Sequence, residues 1–236
     1  MGRNIDDILC FRQDISPFLV HLTRAKDSNT AEQVLRKILR ESKLIAGSDP
    51  ISDARFFVRN AAEKSRFCRA ISLTETPLNE IHCLIDIFGR SIELEPYGIV
   101  FLKDKLQKKG VSPVIYLNNE KDDKRPIIEA LCKLVEINPE AAEQLLPLIS
   151  SFGEMLLKEG KFDFTWEREW RYPSIFGDLE FAIEDIFVGI CPDALIDRLE
   201  ADFPGIKFVD CYRNTKWYAT KLVQARRDRE LKCSVV

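Results

Sequence analysis

Pro17-Phe18-Leu19-Val20-His21-Leu22-Thr23 is a short apolar run, and at this length it reads as a buried strand with His21 near its end. A helix is expected next. Thr30 is placed to cap it, and Gln33 three residues on completes a capping box. Ala31, Val34, Leu35, Ile38 and Leu39 then recur at helical spacing. Burying the four larger aliphatics contributes about 1.5–3 kcal/mol each before entropy is subtracted. Lys43-Leu44-Ile45-Ala46 continues as an extended piece into a loop at Gly47 and Pro50.

Outward from this strand–helix start, Ala70-Ile71-Ser72-Leu73-Thr74 is a second strand candidate. Pro77 takes a first helical position with Thr76 as its cap, and Leu78, Ile81, Leu84, Ile85 and Phe88 form that helix's inner face. Tyr97 to Leu102 and Pro113 to Leu117 read as strands flanking a short helix that Gly110 stops. Residues 121–158 read as wholly helical, divided near Asn138-Pro139, and form the expected insertion or lid. Asp185 to Ile190 is a strand, Pro192 opens a helix ending near Phe203, and Ile206 to Val209 is another strand. Strands outnumber a simple βαβ alternation, so the expected class is α+β. Residues 1–225 are read as one domain, and 226–236 as a polar C-terminal tail.

The 236 residues suffice to bury a sizeable core without staples. Lys and Arg number 35 against 38 Asp and Glu, a net charge of −3, so no global electrostatic footprint points to nucleic acid or membrane. The seven cysteines are odd in number and scattered, with no C-x-x-C pair, and read as reduced thiols. With only His21 and His82 as histidines, the usual structural zinc spacings cannot be assembled, and no metal is expected. The first residues lack the apolar core of a signal peptide, and no run approaches a membrane span, so the expected location is cytoplasmic. Phosphate loops, dinucleotide fingerprints and nucleophile elbows are all missing from the sequence.

Three segments stand apart. Trp166-Glu167-Arg168-Glu169-Trp170-Arg171-Tyr172 alternates aromatics with charges at period two. On a strand, Trp166, Arg168, Trp170 and Tyr172 share one face, and Glu167, Glu169 and Arg171 the other. Two carboxylates on neighbouring same-face positions repel, which raises the pKa of one unless a cation such as Arg171 sits beside them. That pattern fits a catalytic pair and equally a salt-bridged strand with an aromatic inner face. His21 is open to the same two readings, as a core histidine or a functional one. Ser72 and Thr74 make one face of their strand polar, which a helix cap also explains.

Taken in order, Val20-His21-Leu22-Thr23-Arg24, Ile71 to Leu78, Glu95 to Phe101, Pro113 to Tyr116 and Trp166 to Arg171 resemble the AbiGi family of bacterial abortive-infection proteins. The resemblance implies phage defence or a toxin–antitoxin pair, with a partner protein of a defence operon. More distantly, the chain is similar to DarT-type ADP-ribosyltransferases. That likeness implies a split mixed β-sheet with flanking helices, and NAD as a substrate. Glu169 and His21 would be catalytic in one shared cleft, with Glu167 in reserve. His21, Thr23, Ser72, Thr74, Glu75, Tyr97 and Arg171 would line the NAD site. Cleaving the nicotinamide–ribose bond passes through an oxocarbenium-like centre that a carboxylate stabilises, and the target would be protein or nucleic acid. One departure is that such transferases with an initial His supply a Tyr from the central strand, where this chain has Ser72 and Thr74. Either Tyr97 substitutes, which keeps the transferase as the first reading, or the site has degenerated, which leaves the alternative of a non-catalytic antitoxin or sensor that binds its partner.

Overall fold

The opening apolar run is a strand because its partners on either side bury it. Phe18, Leu19 and Val20 are all buried, and His21 and Leu22 less so. The computed structural model describes residues 15–48, 61–87, 93–118, 125–154, 161–162 and 165–231. In chain order the strands are β1 (Phe18–Leu22), β2 (Lys43–Leu44), β3 (Ala70–Thr74), β4 (Gly98–Leu102), β5 (Ser112–Pro113), β6 (Ile115–Asn118), β7 (Ile149–Glu154), β8 (Lys161–Phe162), β9 (Glu169–Pro173), β10 (Leu179–Glu180), β11 (Ile186–Ile190) and β12 (Phe208–Val209). The helices are α1 (Ala31–Glu41), α2 (Ala61–Phe67), α3 (His82–Ile85), α4 (Lys103–Lys108), α5 (Arg125–Ile137), α6 (Pro139–Leu145), α7 (Ile196–Asp202) and α8 (Ala219–Asp228). The class is α+β, as the sequence implies.

Contacts gather the chain into two compact units. One draws on Met1–Lys43, Leu73–Lys108 and Glu180–Val236, the other on Leu44–Ser72 and Lys109–Leu179. In the first, the strand order is β12-β11-β4-β1, and β1 pairs onward with the end of β3 at Thr74. β1 and β4 run antiparallel from Phe18↔Leu102 to Leu22↔Gly98, while β12 lies parallel to β11, so the sheet is mixed. Every residue of β4 and β11 is buried, the signature of strands covered on both faces. Phe18 stacks on Phe187 with ring centroids 4.2 Å apart, and Phe101 meets Phe181 edge-on at 5.0 Å. Helix α1 carries the expected capping box, with Thr30 N–H donating to Gln33 Oε1 and Gln33 N–H to Thr30 Oγ1. Its buried face is Ala31, Leu35, Arg36 and Leu39, whereas Val34 and Ile38 are half-buried.

The second unit contains the start of β3 followed by β9 and β5, with Ser112 opposite Arg171 and Pro113 opposite Trp170. A separate sheet sets β6 parallel to β7, Ile115 against Ile149, and β8 antiparallel to β7. Phe67, Cys68, Leu131, Ala142, Leu146 and Ile149 form its buried apolar cluster. Asn138 caps α6 by accepting from the Ala141 N–H, so the expected division at Asn138-Pro139 is real.

Several expectations are corrected. The stretch read as helical through 158 turns to strand at Ile149, because Ile149–Glu154 finds a partner in β6 more than thirty residues away in sequence. Pro113 to Leu117 is two strands in two sheets, broken at Val114. Thr76 does not cap a helix at Pro77. Its hydroxyl and N–H both bond Thr74 Oγ1, and a 3-10 turn at Leu78–Glu80 precedes α3, with Ile81 and Leu84 buried. The tail is helical to Asp228, and Arg229 donates to the carbonyls of Ile186 and Ile183. Expectations that touched Pro50, Phe88, Cys10, Cys233, residues 1–14, 121–124 and 155–158, and the tail beyond 231 lie outside the described residues.

Candidate functional site

In the second unit the aromatic–charged segment is not one continuous strand. Thr165–Glu167 is a 3-10 turn, Arg168 sits in the left-handed region with φ +48, and the strand begins only at Glu169. The shared face proposed for Glu167 and Glu169 therefore does not form. A left-handed residue between them breaks the period that would align them. From Glu169 onward the alternation holds, with Trp170 and Tyr172 buried, but Arg171 on the opposite face is buried too, at 3% exposure.

Arg171 reaches two residues back along its strand face. Its Nε donates to Glu169 Oε1 at 2.9 Å and its Nη2 to Oε2 at 2.7 Å, a bidentate fork. Its Nη1 donates to the carbonyls of Pro147 and Ile149, each at 3.0 Å. One guanidinium thus ties the β9 strand to the 3-10 turn (Leu146–Leu148) and to the start of β7. The Glu169 N–H donates to Tyr116 Oη at 3.0 Å, and its carbonyl accepts from the Val114 N–H at 2.9 Å. Burial pushes the Tyr116 phenol up to about 12, so it stays protonated. Glu169 is held at its carboxylate, its N–H and its carbonyl.

In the first unit, His21 pairs with Ile99 and is half-buried. Its carbonyl would lie 2.6 Å from a Cβ at position 98, so a glycine there lets β4 approach β1. Thr23 N–H donates to the Tyr97 carbonyl at 2.7 Å, and its buried hydroxyl lies 3.2 Å from both the Ala31 and Tyr97 carbonyls. Thr23 joins α1 to the entry of β4. The half-buried Tyr97 phenol is raised above its ordinary range, first by burial and then by the Glu32 carboxylate. Glu75 and Lys103, both buried, pair at 2.9 Å, and Thr74 shares a 2.8 Å hydrogen bond with Thr76. Ser72, half-buried in β3, belongs with Glu167, Glu169 and Arg171 in the second unit, whereas the other candidates belong to the first.

Sequence reasoning finds the Glu169–Arg171 pair from its spacing of two. It misses Lys103, Tyr116 and the two carbonyls on Arg171. The one available signal is Lys103 itself, a lone cation directly after the apolar run Ile99 to Leu102. Among the described residues, no group of three or more His, Cys, Asp or Glu side chains is placed to hold a metal ion. Nor is any described helix long and apolar enough to cross a membrane.

No curated protein and no solved structure matches the chain. A family model described as "Putative abortive phage resistance protein AbiGi, antitoxin" matches residues 62–186, a span that runs from α2 through the Arg171 clamp to the first residue of β11. On that match, which covers more than half of its length, the chain belongs to the AbiGi family of abortive phage resistance proteins.

Proposed function

We propose that the chain acts in phage defence as an antitoxin-type binding protein that engages a partner encoded beside it, with Glu169 in a structural role. The observation that carries this reading is the Arg171 clamp, in which both oxygens of Glu169 are taken by a buried guanidinium that also holds two backbone carbonyls. Chemistry at an anomeric carbon asks for a carboxylate turned toward the sugar. Here the carboxylate is committed to its own strand. The family's description as an antitoxin supports a partner protein rather than a small substrate. Co-expression with the product of the adjoining reading frame tests the reading. Co-elution of the two proteins is expected, and separate elution would overturn it.

A second reading, an NAD-dependent ADP-ribosyltransferase-like effector modifying protein or nucleic acid, has one observation in its favour. His21, Thr23 and Tyr97 lie together at one end of the β1–β4 pair, the residue types a ribose and a nicotinamide ring would use. It predicts NAD binding measurable by calorimetry and weakened by His21→Ala. Titration heats indistinguishable from dilution would remove it.

A further inference from the structure

The sheet of the first unit ends on a very short strand. β12 has two residues, Phe208 and Val209, and stands last in the strand order, so no strand among the described residues covers its outer side. On its inner side the Gly189 N–H donates to the Lys207 carbonyl at 2.7 Å and the Cys191 N–H to the Val209 carbonyl at 3.0 Å. Successive residues of a strand turn their backbone groups to opposite neighbours. Lys207 and Val209 face β11, so the N–H of Phe208 points away from it. That group is an edge donor, the kind through which sheets of separate molecules join. The Phe208 ring keeps it there, fully buried against Gly189, where a Cβ would collide with the ring.

Glu200 meets that donor. Reaching from α7, its Oε1 accepts the Phe208 N–H at 3.1 Å, as the carbonyl of a neighbouring strand would. The same oxygen accepts from Lys221 Nζ of α8 at 2.7 Å, and Lys207 Nζ lies 3.7 Å from Oε2. With a cation beside each oxygen, the carboxylate is held on the edge rather than left to swing into water. One of those cations belongs to a shallowly seated element, since only Leu222 and Ala225 of the ten residues of α8 are buried. Elements with few buried contacts open at a lower free energy than the whole fold.

We propose that Glu200 is a plug for the open edge of this sheet, set in place by α8 through Lys221, and that it stops β12 from pairing edge to edge with a second copy of this chain. When α8 loosens, the carboxylate is freed and the Phe208 N–H is offered to another strand. The two-residue length of β12 and the charge of Lys207 act in the same direction, as short and lysine-bearing edges do. This inference does not depend on the antitoxin reading.

Hydrogen exchange and sedimentation velocity of the full chain test it, on wild type, Glu200→Ala, Glu200→Gln and Lys221→Met at a temperature where circular dichroism shows each folded. Glu200→Ala removes the acceptor and adds little apolar surface. Its Phe208 amide is expected to exchange about tenfold faster than in wild type while the β4 amides keep their rates. Its sedimentation coefficient is expected to rise with concentration more steeply than that of wild type. Glu200→Gln keeps an oxygen for the N–H and is expected to fall between the two on both readouts. Lys221→Met leaves the carboxylate without its main tether, and about threefold faster exchange at Phe208 is expected. A Phe208 amide indifferent to Glu200→Ala would overturn the plug, and if that variant does not fold, indifference to Lys221→Met decides in the same way. A folded Glu200→Ala chain that associates no more than wild type at any concentration would overturn the guarding role. So would equal association of the Ala and Gln variants, since that assigns the effect to lost charge rather than to an uncovered donor.

Discussion

The two units hold their strands in place by different means. In the first, the central strands β4 and β11 are buried along their whole length, and stacked phenylalanines close the core. Polar ties border that core: Lys103 with Glu75, Arg36 between Glu32 and Asp202, Glu200 with Lys221, and Arg229 on the carbonyls of Ile186 and Ile183. In the second, the described apolar cluster draws on α2, α5, α6, a 3-10 turn and the start of β7, and a buried arginine joins its own strand to the stretch from Pro147 to Ile149. Arg69 also donates to the carbonyls of Ala46 and Gly47, and the more exposed Arg66 pairs with Glu143. The contrast teaches that a buried planar guanidinium with five directed donors can fix its own strand where ring stacking does not.

The largest expected effect is on that arginine. Arg171→Met should cost about 3–5 kcal/mol, because it leaves a carboxylate uncompensated and two carbonyls without their donor. Urea unfolding measures it, and a loss below about 1 kcal/mol would erase the distinction between the units. The first unit is probed by packing. Gly98→Ala would set a methyl 2.6 Å from the His21 carbonyl, and forcing β4 off β1 should cost about 1–3 kcal/mol. Thr23→Val keeps the shape and removes one hydroxyl, for a loss of about 1 kcal/mol in the same assay.

The smallest effect is in pH. Burial alone would raise the Glu200 carboxyl, but hydrogen bonds from Lys221 and the Phe208 N–H hold it below its usual range. A carboxyl depressed in the folded state adds stability above its unfolded pKa of roughly 4. That contribution is lost as pH falls through the folded value. Wild type should therefore lose slightly more stability than Lys221→Met between pH 5 and 3, by less than about 1 kcal/mol, since the pair is partly solvated. Thermal melts at the two pH values check the sign.

Much of the first unit was legible in the sequence because its signals are local. The Phe18 to Leu22 run, the Thr30–Gln33 box and the Ile186 to Ile190 strand are each read from neighbours in the chain. The second unit was read less well because its decisive contacts are remote. Ile149–Glu154 follows a helical stretch and is a strand only through its parallel partner β6. The apparent period through Trp166 and Arg168 was broken by one left-handed residue that composition does not announce. Helix α8 escaped notice because only Leu222 and Ala225 of its ten residues are buried, too few to set a period. At the candidate site the Glu169–Arg171 pair was visible from its spacing, whereas the carbonyls of Pro147 and Ile149, 24 and 22 residues back, were not. In the reading proposed here, that second half of the clamp makes Glu169 a strand anchor.

The most direct test of that assignment is transfer of label from radiolabelled NAD to host protein and nucleic acid, with wild type and Glu169→Gln compared at equal folded concentration. The account predicts no labelled product from either chain and a lower unfolding temperature for Glu169→Gln. Label transferred by the wild type and lost in the variant would contradict it.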